Sequence, residues 1–219
     1  MEPTPSNFNP QKILETLDRN DVSYLVFGGF AGVSYGAQRA TEDIDVVIKR
    51  EQENFKNLST ALNQLNAQLR VAGLSDHEVR QLKITVDAAF LSQLAITNWR
   101  TDAGDLDTLP GLKQRSRSLA TYEDLRPRSA TIDAKGLVIR VASLADIIEA
   151  KETAARAKDL QALQELRALQ PETGAVLITK WRHPPIGRQV ASLSHRKCKR
   201  PPSLSRRGPF AELLSSGGS

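Results

Sequence analysis

Residues Tyr24 to Ile48, YLVFGGFAGVSYGAQRATEDIDVVI, decide how this chain is read. Tyr24-Leu25-Val26-Phe27 is an apolar run of strand length and composition. It stops at Gly28-Gly29, a small-residue helical segment follows over 30–37, and Asp43-Ile44-Asp45-Val46-Val47-Ile48 reads as a second strand. Strand side chains alternate between faces, so Asp43 and Asp45 share one side while Ile44 and Val46 take the other. Two adjacent carboxylates repel unless a cation lies between them. Mg²⁺ accepts one or two carboxylates together with substrate phosphates in its oxygen shell. Gly28 and Gly29 carry no Cβ, which lets a triphosphate approach their backbone, and the amides that open the next helix would face that anion.

The Gly28-Gly29 pair, thirteen further residues and then Asp43-Ile44-Asp45 resemble the signature of nucleotidyltransferases of the DNA polymerase β superfamily. Within that superfamily the chain looks most like the small bacterial AbiEii-type toxins of type IV toxin–antitoxin systems, whose pattern Arg39 and Thr41 also match. The resemblance covers about residues 12–170. It implies an α/β (α+β) nucleotidyltransferase fold, in which a small mixed sheet flanked by helices is followed by a helical C-terminal part. The implied reaction moves NMP from an NTP to an RNA or protein acceptor and releases pyrophosphate. Two Mg²⁺ ions are implied as cofactors, and an antitoxin as a partner.

The resemblance also implies a third carboxylate on a nearby strand. In TNWRTDAGDLDTL, residues 97–109, Trp99 to Thr101 and Asp105 to Leu109 read as two strands around a turn. Asp107 matches the expected place, and Asp105 is its neighbour on the same face, so both stay open with Asp107 favoured. KETAARAKD, residues 151–159, resembles the AbiEii-like segment in which a lysine and a later acidic residue lie near the nucleotide. This matches Lys151 and, less closely, Asp159. Lys151 also falls on the apolar stripe of Leu144, Ile147 and Ile148, where a lysine must extend its ammonium to water or meet an anion. Arg156 and Lys158 read as solvent-exposed, with Glu152 and Arg156 spaced as a helical ion pair. The candidate site is therefore Asp43, Asp45 and Asp107 for metal and catalysis, with Gly28, Gly29, Arg39, Thr41 and Lys151 for the nucleotide.

Outward from these motifs, residues 11–20 read as a short amphipathic helix bearing Ile13, Leu14 and Leu17. A longer helix is expected over 51–70, where Phe55, Leu58, Leu62, Leu65 and Leu69 recur at helical steps up to Gly73. Val79, Leu82, Val86, Phe90 and Leu94 favour another helix over 79–94. Residues 110–130 read as an irregular basic loop, 130–142 as a hairpin around 134–136, and 144–155 and 158–169 as helices, the first capped by Ser143 and carrying Ala155 on its inner face. The organisation expected is a catalytic core over 1–142, helices packed on it over 143–170, and a basic, disordered tail over 171–219.

The chain of 219 residues carries a net charge of +5, unevenly placed. Residues 1–170 hold 21 Lys+Arg against 23 Asp+Glu, whereas 171–219 hold 9 against 2. Basic character thus belongs to the tail, where attraction to nucleic acid by counterion release would act. No apolar run reaches membrane-spanning length, and no membrane partner is expected. The N-terminal MEPTPSNFNPQK lacks the pattern of a secretory signal. The single cysteine, Cys198, fits a cytoplasmic location, and with three scattered histidines it argues against a zinc site. The alternative is a non-catalytic module that binds a partner or nucleic acid on the same fold; three clustered carboxylates favour the enzyme.

Overall fold

Asn9 and Pro10 start the first helix, α1 (Pro10–Arg19), with the Asn9 side chain accepting from the Lys12 amide at 3.0 Å. The computed structural model describes residues 8–134 and 137–170, all within one compact unit, Met1–Ile186. The tail read over 171–219 and the hairpin tip at 135–136 lie outside the described residues.

After α1 come β1 (Tyr24–Phe27), α2 (Gly28–Ser34), β2 (Asp43–Ile48), α3 (Gln52–Gln64) and β3 (Gln68–Arg70). Two short helices follow, α4 (Asp76–Gln81) and α5 (Ala88–Gln93), then the strands β4 (Thr97–Thr101) and β5 (Gly104–Leu109). The hairpin of β6 (Gly111–Lys113) and β7 (Leu119–Thr121) leads through α6 (Tyr122–Leu125) and a 3-10 turn, Arg126–Arg128, to β8 (Ala130–Ala134) and β9 (Leu137–Val141). The described residues end with α7 (Leu144–Ala154) and α8 (Ala157–Ala168).

The α/β class expected from the sequence is the one observed. Seven strands form a mixed sheet in the order β3-β4-β5-β2-β1-β9-β8, and β6–β7 form a separate two-stranded sheet. β2 runs parallel to β5 and β1 parallel to β9, while the other neighbours are antiparallel. Ile44, Val46 and Leu106 alternate with the aspartates, so they take the opposite face of the sheet. They join Ile13, Leu14 and Leu17 of α1, Leu58 and Leu62 of α3, and Trp99 in one buried core. The other sheet face carries the carboxylates, and α2, α7 and β6 gather around it.

Three helical expectations change. The helix read over 51–70 ends at Gln64, because Asn66 turns into the left-handed region at φ 49°. Gln68–Arg70 then pairs with β4, so Leu69 lies opposite Trp99 on a strand. The helix read over 79–94 is instead α4 and α5. Lys83 takes φ 48°, the β-branched Ile84 and Thr85 follow it, and Asp87 caps a new start by accepting from Phe90 N at 2.8 Å. Leu82, assigned to the buried stripe, is 55% exposed. Ala155, read as inward-facing, is the exposed left-handed residue that ends α7. The basic loop of 110–130 is mostly ordered, with β6, β7 and the capping box of Thr121 and Asp124 at the start of α6.

Candidate active site

The register between β2 and β5 assembles the site. Asp43 lies opposite Asp105, and Asp45 opposite Asp107. Carboxylate oxygens of Asp43, Asp45 and Asp107 all fall within 4.8 Å of one another. Asp105, the other candidate for third carboxylate, is taken up by Arg70 at 2.7 Å and Arg100 at 3.7 Å. The geometry therefore groups Asp107, not Asp105, with the pair on β2.

Gly28 and Gly29 explain how α2 comes so close to these carboxylates. Gly28 takes φ +71°, and a Cβ there would stand 1.8 Å from Asp45 Oδ2. A Cβ on Gly29 would stand 2.7 Å from Thr41 Oγ1. The Thr41 hydroxyl in turn donates to Asp43 Oδ1 at 2.9 Å, orienting that carboxylate. The glycine pair thus makes room for the acidic cluster itself, a tighter requirement than a turn between strands.

Electrostatics show a site short of positive charge. Burial first, and then the neighbouring Asp43 and Asp107, push Asp45 up to about 7, against an opposing pull from Lys151 and Lys158. Burial also raises Asp107, an effect reduced by a hydrogen bond from Asn98. The Lys151 ammonium, one of the cations acting on Asp45, is shared with Asp159 at 3.3 Å. Asp159 is only 2% exposed, and Arg156 Nε donates to it at 2.6 Å. Burial alone would raise Asp159, but the Arg156 hydrogen bond and the charges of Lys151 and Arg156 hold it below the usual carboxylate range. A divalent cation would supply what the three clustered carboxylates lack, and their all-oxygen donor set suits Mg²⁺.

The cluster lies in a cleft of about 860 Å³ that also takes in Gly28, Gly29, Arg39, Thr41 and Lys151. Every residue singled out from the sequence for the site thus borders one cavity. Arg156 and Lys158 border it as well, which sequence reasoning missed by treating them as plain helix surface. Glu152 does not pair with Arg156; it binds Arg115 and accepts from Arg167 at 2.5 Å, while Arg156 turns to Asp159. The readable signal was the three-residue step from Arg156 to Asp159, which competes with the four-residue step to Glu152.

No family model and no curated protein matches the chain. Solved structures do. The antibiotic-resistance factor ANT(2'')-Ia in solution is 16% identical over 73% of this chain and 80% of its own, with a TM-score of 0.46. The same enzyme in complex with adenylyl-2''-tobramycin is 15% identical over 73% and 91%, again at 0.46. The lincosamide antibiotic adenylyltransferase LnuA, with lincomycin bound, is 15% identical over 75% and 99%, with a TM-score of 0.45.

Proposed function

We propose that this chain is a metal-dependent nucleotidyltransferase that moves NMP from an NTP to a hydroxyl-bearing acceptor. The observation that carries this is the grouping of Asp43, Asp45 and Asp107 within 4.8 Å in a cleft whose one flank is cationic. Asp43, Asp45 and Asp107 would hold Mg²⁺. When bound, the metal would offset charge on the reacting phosphoryl oxygens.

The chain's own groups supply the rest. Gly28 and Gly29, lacking side chains, let the Asp45 carboxylate and the Thr41 hydroxyl close up against the start of α2, beside which the polyphosphate would lie. Lys151, pre-positioned by Asp159, reaches the same cavity and neutralises charge on the departing pyrophosphate, as do Arg39 and Lys158. Thr41 orients Asp43 and Asn98 orients Asp107 through hydrogen bonds. In the balanced reaction the acceptor oxygen bonds to the α-phosphorus, the bond to the β-phosphate bridge breaks, pyrophosphate leaves and the hydroxyl proton passes to water.

The AbiEii-type resemblance extends this to a toxin acting on RNA or protein and held by an antitoxin. A direct test is pyrophosphate release from NTP in the presence of a cell extract. Release that requires Mg²⁺ and disappears in a correctly folded Asp107→Asn variant supports the proposal. Equal release by that variant removes Asp107 from the chemistry, and NTP binding without any release would favour the binding module.

A further inference from the structure

The carboxylate face of the sheet continues past Asp107 as a polar platform. Cross-strand partners share a face, and the register carries two rows over β2, β5, β4 and β3. One row is Asp45, Asp107, Asn98 and Arg70; the other is Asp43, Asp105, Arg100 and Gln68. Arg70 and Arg100 therefore face the same way as the acidic cluster, and the Arg70 backbone lies two strand spacings, about 10 Å, from Asp107. Their side chains are 45% and 50% exposed. A guanidinium has five N–H donors, and each of these two commits one nitrogen to a hydrogen bond among the described residues. Arg70 Nη1 donates to Asp105 at 2.7 Å, and Arg100 Nη1 to Asp76 at 2.5 Å. Arg128, a structural arginine, is engaged differently: its Nε donates to both Asp146 oxygens and its Nη1 to the Asp124 carbonyl. Arg80 adds a third guanidinium at the β3 edge, where it donates to the uncharged Gln68 Oε1 at 3.0 Å.

Sheet order separates this platform from the nucleotide side. α2 starts at the end of β1 and α7 follows β9, both to one side of β2, whereas β4 and β3 lie beyond β5 on the other. The charges divide in the same way, with Lys151 and Lys158 acting on Asp45 and Arg70 acting on Asp107. Displacement at phosphorus proceeds in line, with attacking and leaving oxygens on opposite sides. With pyrophosphate departing toward α2 and Lys151, the acceptor hydroxyl comes in over β5. We propose that Arg70 and Arg100 seat a phosphate of that acceptor, so that the substrate is a phosphate-bearing hydroxyl compound, as at the end of a nucleic acid or in a small phosphate ester. This rests on the nucleotidyl-transfer reading above. Half-exposed ion pairs such as those with Asp105 and Asp76 hold weakly in water. A phosphate can share or displace them, because planar guanidinium forks match its oxygens bidentately.

Two measurements on the full chain test it. In the first, α-labelled NTP and Mg²⁺ are added to a cell extract, and the label is read in its nucleic acid, its protein and its small-molecule filtrate. The expected label is on nuclease-sensitive nucleic acid, or on a small product that an anion exchanger holds as carrying a second phosphate. Label on protein, or on a small product with the transferred phosphate alone, overturns the assignment. If no fraction is labelled, nucleotidyl transfer itself fails, and the phosphate seat with it. In the second, the labelled fraction serves as subsaturating acceptor for the Arg70→Gln/Arg100→Gln double variant and for Asp105→Asn. The double variant should transfer roughly tenfold more slowly and with a shallower dependence on salt, while its Kd for a non-hydrolysable NTP with Mg²⁺ stays within about twofold. Asp105→Asn frees the guanidiniums from their carboxylate, so its transfer should hold or rise. Undiminished transfer by the double variant, or an equal loss in Asp105→Asn, would show that the arginines only hold Asp105 and would overturn the proposal. A roughly tenfold weaker nucleotide Kd would place them on the NTP instead, and would also overturn it.

Discussion

Replacing Asp45 with asparagine should make the metal-free protein more stable and the enzyme inactive. Asp45 is pushed from the ordinary 3.8 up to about 7 by burial and by Asp43 and Asp107. The folded chain therefore holds this proton more tightly than the unfolded chain. Stability is greatest below the ordinary aspartate range and is lost as pH rises from about 4 to about 7. A displacement of that size corresponds to roughly 4 kcal/mol at most above pH 7. Water reaching the partly open cleft lowers the working figure to about 2 kcal/mol. Asparagine keeps the shape and removes this cost, so at pH 8 the variant should melt roughly 4–8 °C above the wild type. At pH 5 the gap should be clearly smaller, because Asp45 is then more protonated in the folded chain. Thermal unfolding followed by circular dichroism in EDTA at both pH values is the assay. A variant no more stable than wild type at pH 8, or a gap equal at both pH values, would refute the electrostatic account of the cluster.

Gly28→Ala drives a Cβ to 1.8 Å from Asp45 Oδ2 at a left-handed backbone, so NTP turnover should fall on the order of 10²-fold in steady-state assays. Unchanged turnover would mean that Asp45 has a second workable position. Lys151→Met keeps the apolar stem and deletes the charge, and calorimetric titration should show NTP binding about 10- to 150-fold weaker. An unaltered Kd would confine Lys151 to its pairing with Asp159. Asp159→Asn removes the anion that Lys151 and Arg156 share, and urea unfolding should show a loss of about 2–3 kcal/mol at an unchanged m-value. A loss below about 0.5 kcal/mol would mark that pairing as merely superficial.

The centre of the site was legible because its signals are local. The apolar run of 24–27, the glycine pair and the alternation of Asp43 and Asp45 each need only a few residues of context. Choosing Asp107 over Asp105 needed the pairing of β2 with β5, a contact between segments about sixty residues apart. Once the strands are aligned, Arg70 and Arg100 occupy Asp105 and leave Asp107 beside Asp45. The helices were overread where a leucine repeat continued across a break. Leu69 keeps the spacing of Leu58, Leu62 and Leu65, yet Asn66 reverses the chain before it. Leu82 keeps the step from Val79, yet it points to solvent. Periodicity records apolar spacing, and a single left-handed residue can end a helix without disturbing that spacing. Ion pairs were the least legible feature, since Glu152 passes over Arg156, four residues away, for Arg115 and Arg167.

The central claim is transfer of the α-phosphoryl unit, and the position of a radioactive label on the NTP tests it most directly. Parallel reactions with α-labelled and γ-labelled NTP, Mg²⁺ and a cell extract would be resolved into acceptor-borne label and free pyrophosphate. The account predicts that the acceptor gains label from the α-labelled NTP alone, and that all γ-label consumed appears as pyrophosphate. Acceptor labelled from the γ-position, or γ-label released as inorganic phosphate with no α-label transferred, would contradict it.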